Sequence, residues 1–250
     1  MIDLTGKNIL VTGASSGLGK AISQTVASQG ATVLLSGRDE LRLKETLDSL
    51  AGSNHVLFPG DIADFSVISQ ISKAIIEKGI KISGFVHSAG IEKTLPLVGS
   101  TPAIFQEVFN INVFAGFEFV RLLSRKNIVD PNGASFIFLS SVMGKLGEPF
   151  KTVYCASKSA LISGSKAIAF ELASKNIRCN CVLPGIVETE MVQELFKSIP
   201  AEAKEKIIGN HPLGLGKPED VAALVAFLLS DEARWITGAE YTIDGGYSIH

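Results

Sequence analysis

With 250 residues, of which 46% are hydrophobic and 19% charged, the chain is long enough for one α/β domain with a buried apolar core. Its formal net charge of −2 argues against nucleic acid or an anionic membrane surface as the main partner. No apolar run approaches the roughly 20 residues of a transmembrane helix, and the N-terminal residues do not resemble a secretory signal, so we expect a cytoplasmic protein. Three cysteines cannot all pair within the chain, so buried thiols are expected and no metal site is predicted.

Short apolar runs alternate with helical stretches from one end of the chain to the other. Val67, Ile71 and Ile75, for example, repeat at helical spacing after the third run, and Asp64 is placed to cap that helix. Continuous apolar runs separated by helices are typical of a parallel sheet with both faces covered. The predicted strands are Ile9–Val11, Thr32–Leu35, Val56–Phe58, Phe85–His87, Phe136–Leu139, Cys179–Leu183 and Tyr241–Ile243.

A glycine-rich segment, Thr12 to Gly19, joins the first predicted strand to a helical stretch from Leu18 to Ser28. Glycines let the backbone approach a diphosphate, and the N-terminus of the following helix offers N–H groups and the positive end of its dipole. The spacing differs from the common G-x-G-x-x-G pattern, so this segment alone is also compatible with a tight turn that binds nothing.

Tyr154 and Lys158 stand four positions apart in a helical stretch, which puts their Cβ atoms on one helix face, roughly 5–6 Å apart. An ammonium group this close favours the phenolate, so we expect the pKa of Tyr154 to fall towards neutrality, as general acid–base chemistry requires. Ser141 follows the apolar run Phe136–Leu139, and its hydroxyl is expected at the carboxyl end of a strand, where open α/β sheets bind ligands. For the Tyr–Lys pair alone, a solvated helix face is the alternative.

Together these segments resemble the short-chain dehydrogenase/reductase family, and the resemblance runs through nearly the whole chain. The chain departs from the family at two places: it has His87 to Gly90 where N-N-A-G is common, and it lacks the arginine often found in the segment 212–219. The matching positions are Thr12 to Gly19 for the T-G-x-x-x-G-x-G loop, Asp61 for the adenine contact, Asn112, Ser141, Tyr154 and Lys158 for the catalytic tetrad, Pro184, Gly185 and Thr189 for P-G-x-x-x-T, and Asp244 to Gly246 for D-G-G.

The resemblance implies a Rossmann-type, doubly wound α/β fold with a seven-stranded parallel sheet and helices on both faces. One NAD(P)-binding domain would span residues 1–250, with a substrate lid around 186–210. The catalytic residues it implies are Asn112, Ser141, Tyr154 and Lys158. The cofactor-binding residues it implies are Gly13, Ser15, Ser16, Gly17, Leu18, Gly19, Arg38, Asp61, Ile62, Ala89, Gly90, Tyr154, Lys158, Pro184, Gly185, Val187 and Thr189.

The end of the second predicted strand bears on the choice between NADP(H) and NAD(H). An acidic residue there would bind the ribose 2′-hydroxyl of NAD, but the usual acidic position is Gly37. Arg38 instead offers paired N–H donors to a 2′-phosphate. Asp39 either supplies the acidic group for the ribose, with the strand register shifted, or caps the next helix. Ser16 stands where some NADPH-using relatives have a second basic residue. The sequence favours NADP(H), with NAD(H) as the alternative.

His87 ends the fourth predicted strand and invites two interpretations. One is a catalytic base, because histidine titrates near neutral pH. The other, which we favour, is a histidine that makes a hydrogen bond to the backbone at a strand end. The change from N-N-A-G is expected to alter cofactor affinity without abolishing the chemistry.

The substrate is specified less clearly. The lid offers Met191, Val192, Leu195 and Phe196 as an apolar surface, and Met143, Leu146, Leu95 and Phe150 are candidates for the opposite wall. These residues either contact a partly apolar ketone or acyl group or pack the lid onto the body, and the sequence does not separate the two.

The leading functional interpretation is a 3-oxoacyl thioester reductase with acyl carrier protein as partner, the commonest assignment for chains of this kind. Arg125, Lys126, Lys166 and Lys175 are candidates for its cationic landing patch, although Phe170 stands where such reductases commonly place an arginine. Ordinary solvated charges on the helix surface are the alternative interpretation of these residues. A sugar, polyol or steroid-type alcohol dehydrogenase is the alternative.

A non-catalytic NADP(H)-binding sensor or scaffold is an alternative of another class, and the intact tetrad argues against it. In this family, helices corresponding to the stretches 102–126 and 153–175 pair subunits, which implies a homotetramer, or else a homodimer.

Overall fold

The computed structural model describes residues 2–249, apart from the side chains of Met191, Leu195 and Ser198. Its central feature is a sheet of seven parallel strands. The strands are β1 (Asn8–Thr12), β2 (Thr32–Gly37), β3 (Val56–Pro59), β4 (Gly84–His87), β5 (Ala134–Leu139), β6 (Ile177–Pro184) and β7 (Glu240–Ile243). Every strand predicted from the sequence lies within one of these, and the predicted fold class is confirmed.

The described α-helices connect the strands and cover both faces of the sheet. Two of them, the seventh and eighth, form the segment predicted as a lid. The helices are α1 (Gly17–Ser28), α2 (Glu40–Asp48), α3 (Phe65–Glu77), α4 (Pro102–Phe109), α5 (Ala115–Leu123), α6 (Thr152–Leu172), α7 (Glu190–Ser198), α8 (Ala201–Gly209) and α9 (Pro218–Leu229).

The strand order is β3-β2-β1-β4-β5-β6-β7, so the direction of winding reverses between β1 and β4. The last residue of β1, Thr12, pairs with Ser36 of β2 on one side and with His87 of β4 on the other. These three strands therefore end level with one another. In open α/β sheets the crevice beyond the strand ends at such a reversal is where ligands bind.

Two apolar layers, one on each face of the sheet, form the core. Because side chains alternate along a strand, Ile9 and Val11 of β1 pack in the layer with α1 and α9, whereas Leu10 packs in the layer with α3 and α5. The second layer includes a group of fully buried rings, in which Phe85 lies 5.3 Å from Phe119 and 6.0 Å from Phe136 between ring centres. Burial of each side chain of this size stabilises the fold by about 1.5–3 kcal/mol. This packing holds in place the strands whose ends carry the site.

The stretch 102–126, treated in the sequence as one long helix, is not a continuous α-helix. A π-helical turn, Asn110–Phe114, interrupts it between α4 and α5. The Nε2 atom of His87 lies 3.1 Å from the carbonyl oxygen of Ile111 within this turn, so a hydrogen bond joins the end of β4 to the backbone of the turn. Such insertions are frequent at functional sites, and Asn112 lies in this one.

No helix in the described part of the chain, residues 2–249, is both long and apolar enough to cross a membrane.

Candidate functional site

A cleft of about 660 Å³ runs along the carboxyl ends of the strands, across the reversal between β1 and β4. It collects most of the residues singled out in the sequence, from six separate parts of the chain. Those that line it are Gly13, Ser15, Ser16, Gly17, Leu18, Gly19, Arg38, Asp61, Ile62, Ala89, Gly90, Tyr154, Lys158 and Thr189.

The glycine-rich loop between β1 and α1 packs too closely for side chains. Gly13 has φ +67°, and a Cβ atom there would lie 2.9 Å from the Cα of Ala89. A Cβ atom at Gly19 would lie 2.2 Å from the carbonyl oxygen of Gly13. The side chain of Ser16, the N-cap residue of α1, makes no capping hydrogen bond, so the first turn of this helix keeps its N–H donors for another acceptor. The loop therefore fits a diphosphate at the helix N-terminus.

The end of β2 is basic and has little room for an acidic side chain. A Cβ atom at Gly37 would lie 3.2 Å from Leu43 Cδ1 and 3.3 Å from Ser15 Oγ. The Asp39 carboxylate caps α2 by accepting a hydrogen bond of 3.0 Å from the backbone N–H of Arg42. The structure thus supports the capping interpretation of Asp39, while the exposed Arg38 lines the cleft beside it.

Lys158 is buried against the ends of β5 and α6, with its side chain directed at the Tyr154 ring. Its Nζ donates a hydrogen bond of 2.8 Å to the carbonyl oxygen of Leu139 and lies 5.5 Å from the ring centre of Tyr154. Ser140 Oγ in turn donates to the carbonyl oxygen of Lys158 at 2.8 Å. Burial lowers the pKa of Lys158 to about 8, because the charged ammonium loses solvation.

The pKa of Tyr154 departs from the sequence prediction. Burial raises it to about 12, the negative charge of Glu92 adds to the rise, and a hydrogen bond from the Ser141 side chain opposes it. The predicted fall of the pKa towards neutrality is therefore wrong for this site, because the solvation that the phenolate loses outweighs the Ser141 hydrogen bond and the charge of Lys151, which lower the pKa. A phenol with this pKa is fully protonated at neutral pH and is suited to donating a proton.

Ser141 begins a short 3₁₀ turn directly after β5. Its Oγ accepts a hydrogen bond of 3.2 Å from the backbone N–H of Met143, which fixes the side chain at the strand end. Ser141 does not itself line the 660 Å³ cleft, and its link to the site is through Tyr154. The serine hydroxyl has one proton, which faces the Tyr154 phenol here and is in place to bind a substrate oxygen beside the phenol.

Asn112 is fully buried, and its side-chain amide is already engaged. Its Oδ1 accepts from the backbone N–H of Ile91 at 2.8 Å, and its Nδ2 donates to the carbonyl oxygen of Ile91 and to Ser157 Oγ, both at 3.0 Å. A Cβ atom at Gly90 would lie 3.4 Å from both Asn112 Oδ1 and Lys158 Nζ, so Gly90 brings the chain close to both groups. Asn112 thus holds the loop after β4 against α6, beside the lysine.

His87 is a buried connector and does not line the cleft. Its Nε2 lies 3.1 Å from the Ile111 carbonyl, which can only accept, so Nε2 carries the proton and Nδ1 accepts from Thr12 Oγ1 at 3.0 Å. Thr12 Oγ1 accepts in turn from the N–H of Ala89 at 3.3 Å. Burial lowers the pKa of His87 to about 4, so the imidazole is neutral. These contacts agree with the interpretation as a backbone-bonded histidine.

Three predicted cofactor residues stand outside the cleft lining. Pro184 ends β6, and Gly185 packs so closely on Asp244 that a Cβ atom would lie 2.9 Å from its Cα. Val187 is buried and forms a parallel bridge with Gly216. Thr189, two residues after Val187, lines the cleft and caps α7.

The residues predicted as substrate walls divide between two places. Val192 and Phe196 line a separate hollow of about 370 Å³ with Ile208 of α8, which favours their packing within the lid. Met143, Leu146, Leu95 and Phe150 do not line the main cleft, and the Leu95 N–H donates a backbone hydrogen bond of 2.8 Å to the Phe150 carbonyl. The side chains of Met191 and Leu195 lie outside the described part of the structure.

The sequence analysis missed two ion pairs at the cleft. Glu92, which lines the cleft near Tyr154, pairs with Lys151 at 3.1 Å. Arg42 of α2 pairs with Glu190, the first residue of α7, and both line the cleft. Arg42 stands four residues beyond Arg38, which precedes the Asp39 cap of α2, and its partner Glu190 lies 148 residues away in the sequence.

The four residues proposed as a landing patch for acyl carrier protein are solvent-exposed, but one of them, Lys166, is engaged in an ion pair. Lys166 forms an ion pair of 3.1 Å with Glu240, which also binds Lys145 at 2.7 Å. Two lysines therefore share one carboxylate, and the charge of Lys166 is only partly compensated. The other three, Arg125, Lys126 and Lys175, are solvent-exposed.

Comparison with known proteins matches this chain over nearly its whole length. A family model described as enoyl-(acyl carrier protein) reductase matches residues 13–248. The chain is 38% identical to 3-oxoacyl-[acyl-carrier-protein] reductase FabG of Thermotoga maritima over 98% of this chain and 99% of that protein. It is 36% identical to nodulation protein G of Rhizobium meliloti over the full length of both.

Among solved structures, the chain is similar to the L-sorbose reductase of Gluconobacter frateurii, crystallised with NADPH and L-sorbose. The TM-score is 0.93 at 26% identity, covering 100% of this chain and 99% of that one.

Proposed function

Because the chain belongs to the short-chain dehydrogenase/reductase family and is an oxidoreductase acting on CH–OH groups, we propose that it is an NADP(H)-dependent 3-oxoacyl thioester reductase. The observation that carries the proposal is the placement of Tyr154 and Lys158 on the wall of the same cleft whose other end is the glycine-rich loop. One site thus offers a phosphate cradle and a proton donor.

The residues of the cleft fit NADP(H). The loop from Gly13 to Gly19 would hold the diphosphate, and Asp61 and Ile62 would contact the adenine. Arg38 would bind the 2′-phosphate. NAD-specific sites have a carboxylate at the position of Gly37, and that carboxylate would repel this phosphate. The chemistry supplied by the bound cofactor is hydride transfer to the carbonyl carbon.

Tyr154 acts as the proton donor in this proposal. Its raised pKa keeps the phenol protonated, so that the proton passes to the substrate oxygen as negative charge develops there. Ser141 binds the same oxygen through its hydroxyl and stabilises the developing charge. Lys158, 5.5 Å from the Tyr154 ring centre, would stabilise the resulting phenolate by its positive charge and would hold the nicotinamide ribose of the cofactor.

Asn112 and the segment after β6 have supporting roles. By resemblance to the family, Asn112 would anchor a water that connects Lys158 to solvent, while its side chain is engaged with Ile91 and Ser157. Pro184, Gly185 and Val187 would lie near the nicotinamide. The remaining cofactor contacts would come from Ser15, Ser16, Ala89, Gly90 and Thr189, which line the cleft.

The thioester is favoured as substrate by the full-length similarity to the Thermotoga maritima reductase. The exposed Arg125, Lys126 and Lys175 would attract an acidic carrier protein, while the charge of Lys166 is partly compensated by Glu240, which also binds Lys145. We further propose a homotetramer, or else a homodimer, paired through α4, α5 and α6, whose surface exposes Phe114 and Phe170.

A reductase of sugars or polyols is the second candidate. The Glu92–Lys151 pair gives the cleft near Tyr154 a charged hydrogen-bonding surface, which suits a substrate with hydroxyl groups next to the carbonyl. The similarity in fold to an L-sorbose reductase agrees with it. A binding-only sensor or scaffold is disfavoured, because it has no need of Ser141, Tyr154 and Lys158 together.

The test compares initial rates of NADPH absorbance loss with an acetoacetyl thioester and with L-sorbose. We expect kcat/KM for the thioester to exceed that for the sugar by at least about tenfold. Turnover of L-sorbose with none of the thioester would establish the second candidate instead. Turnover of neither, with NADPH binding intact, would reject both substrate classes.

A further inference from the structure

Arg42 lines the same cleft as Arg38, which lies just before the N-cap of α2. It is the third residue of α2, and side chains in helices lean towards the N-terminus, which here is the end of β2 beside Gly37 and Ser15. The helix start is fixed, because the Asp39 carboxylate accepts a hydrogen bond from the Arg42 backbone N–H. Two guanidinium groups therefore border one end of the cleft.

The partner of Arg42 belongs to the lid. Its NH2 group binds Oε2 of Glu190, the residue that follows the Thr189 cap of α7. Thr189 lies directly over the glycine-rich loop, since a Cβ atom at Gly17 would be 3.5 Å from its Cγ2. The Arg42–Glu190 pair thus bridges the cleft from the β2 side to the segment above the phosphate-binding loop.

The pair is accessible, because the Arg42 side chain is 41% exposed and that of Glu190 is 63% exposed. An exposed ion pair of this kind contributes about 0–1 kcal/mol and exchanges partners readily. A phosphate carries more charge than a carboxylate and offers three acceptor oxygens to the fork of an arginine. A phosphate that enters this end of the cleft would therefore displace Glu190 from Arg42.

We infer that Arg42 is a second specificity-determining residue for NADP(H), which binds the 2′-phosphate together with Arg38 and is released from Glu190 of the lid when it does so. This supplies the second cation that Ser16 does not provide in the glycine-rich loop. It couples the identity of the cofactor to the lid, since the nucleotide without the 2′-phosphate leaves Arg42 on Glu190. The inference rests on the proposed use of NADP(H).

Calorimetric titration with NADP⁺ and NAD⁺ distinguishes this role from that of an Arg42–Glu190 ion pair that only holds the lid in place. Arg42→Ala is expected to weaken NADP⁺ binding by about 10- to 100-fold, with NAD⁺ changed less than about twofold. Glu190→Gln is expected to tighten NADP⁺ binding by a few-fold and to leave NAD⁺ unchanged, because the competing carboxylate is gone. The matched control is Lys44→Ala on the same helix, since Lys44 pairs with Asp48 and does not line the cleft.

Three outcomes would overturn the inference, and they differ in what else they reject. If Arg42→Ala weakens the binding of NADP⁺ and NAD⁺ equally, the Arg42–Glu190 pair only holds the lid and Arg42 does not recognise the phosphate. If Arg42→Ala changes the binding of neither nucleotide, Arg38 alone binds the 2′-phosphate and the proposed function still stands. If the wild-type protein binds NAD⁺ in preference to NADP⁺, the proposed cofactor fails together with the role of Arg42.

Discussion

Lys158 Nζ lies 5.5 Å from the centre of the Tyr154 ring while it donates a hydrogen bond of 2.8 Å to the carbonyl oxygen of Leu139. The carbonyl holds the ammonium group in a buried position where its charge faces the phenol with little screening by water. Burial moves the pKa of Lys158 down to about 8 and that of Tyr154 up to about 12. At neutral pH the pair is therefore an ammonium beside a protonated phenol, which is the state that carbonyl reduction requires.

The first prediction is an alkaline limb in carbonyl reduction. Lys158, with a pKa lowered to about 8, is charged below this pH and loses its charge above it. Since that charge stabilises the phenolate that Tyr154 forms, kcat for reduction is expected to fall above pH 8, approaching about tenfold per pH unit. Tyr154, with a pKa of about 12, adds no limb in this range. The measurement is kcat between pH 6 and 10, with the NADPH Kd measured at each pH as control. A level profile would contradict the role of Lys158.

The second prediction concerns cofactor choice at Gly37. In Gly37→Asp a carboxylate stands beside the 2′-phosphate site, so NADPH binding is expected to weaken by about tenfold or more and NADH binding to strengthen. Gly37→Ala is the matched control, because its Cβ meets the same close contacts with Leu43 and Ser15 without the charge. Fluorescence titration of both reduced cofactors gives the four dissociation constants. If Ala and Asp shift NADPH binding equally, crowding and not charge sets the preference.

The third prediction is a pH-dependent stability that originates at His87. Its pKa is about 4 in the folded protein against about 6.5 when unfolded, so only the unfolded chain binds a proton between these values. The stabilisation is complete above pH 6.5 and is lost as pH falls towards 4, with about 2 kcal/mol lost between pH 7 and pH 5. Urea unfolding at the two pH values measures it.

The control for His87 is His87→Asn, which places the asparagine common in this family at the same position. This variant is expected to lose about 2 kcal/mol less between pH 7 and pH 5, since other titrating groups are common to both proteins. Its stability at pH 7 is expected to be lower by about 1–3 kcal/mol if the bonds to Thr12 and Ile111 are not replaced. Parallel pH profiles for the two proteins would show that His87 is not the origin.

The sequence predicted the fold and the convergence of the glycine-rich loop with Tyr154 and Lys158, because both depend on local patterns. Apolar runs identify parallel strands, and the carboxyl ends of parallel strands share one edge of the sheet, so residues that follow different strands meet there. The i, i+4 spacing of Tyr154 and Lys158 likewise fixed their common helix face.

Other features depend on the assembled molecule. The direction of the Tyr154 pKa shift follows from burial and from Glu92, a residue 62 positions away in the sequence. The π-helical turn at Asn110–Phe114 has no distinct sequence pattern, and its carbonyl contact with His87 exists only after the sheet and helix have packed. The Arg42–Glu190 pair joins residues 148 positions apart and depends on where the lid lies. Such contacts are set by tertiary geometry, which periodicity does not specify.

The oligomer provides a prediction independent of catalysis. Multi-angle light scattering at micromolar concentration is expected to give a mass about four times the 26.5 kDa of the chain, or about twice this mass for the dimer. Phe114→Glu, at an exposed aromatic position just before α5, is expected to reduce that mass by placing charge in the interface. A particle of 26.5 kDa for the unmodified protein would contradict the assembly.

The most direct test of the account is NADPH-dependent reduction of an acetoacetyl thioester by Tyr154→Phe beside the unmodified protein. Removing the single hydroxyl deletes the proton donor while the ring stays in place. We predict that kcat falls by about 10²- to 10⁴-fold and that the NADPH Kd stays within about threefold. Undiminished turnover by Tyr154→Phe would contradict the central claim that this phenol supplies the proton.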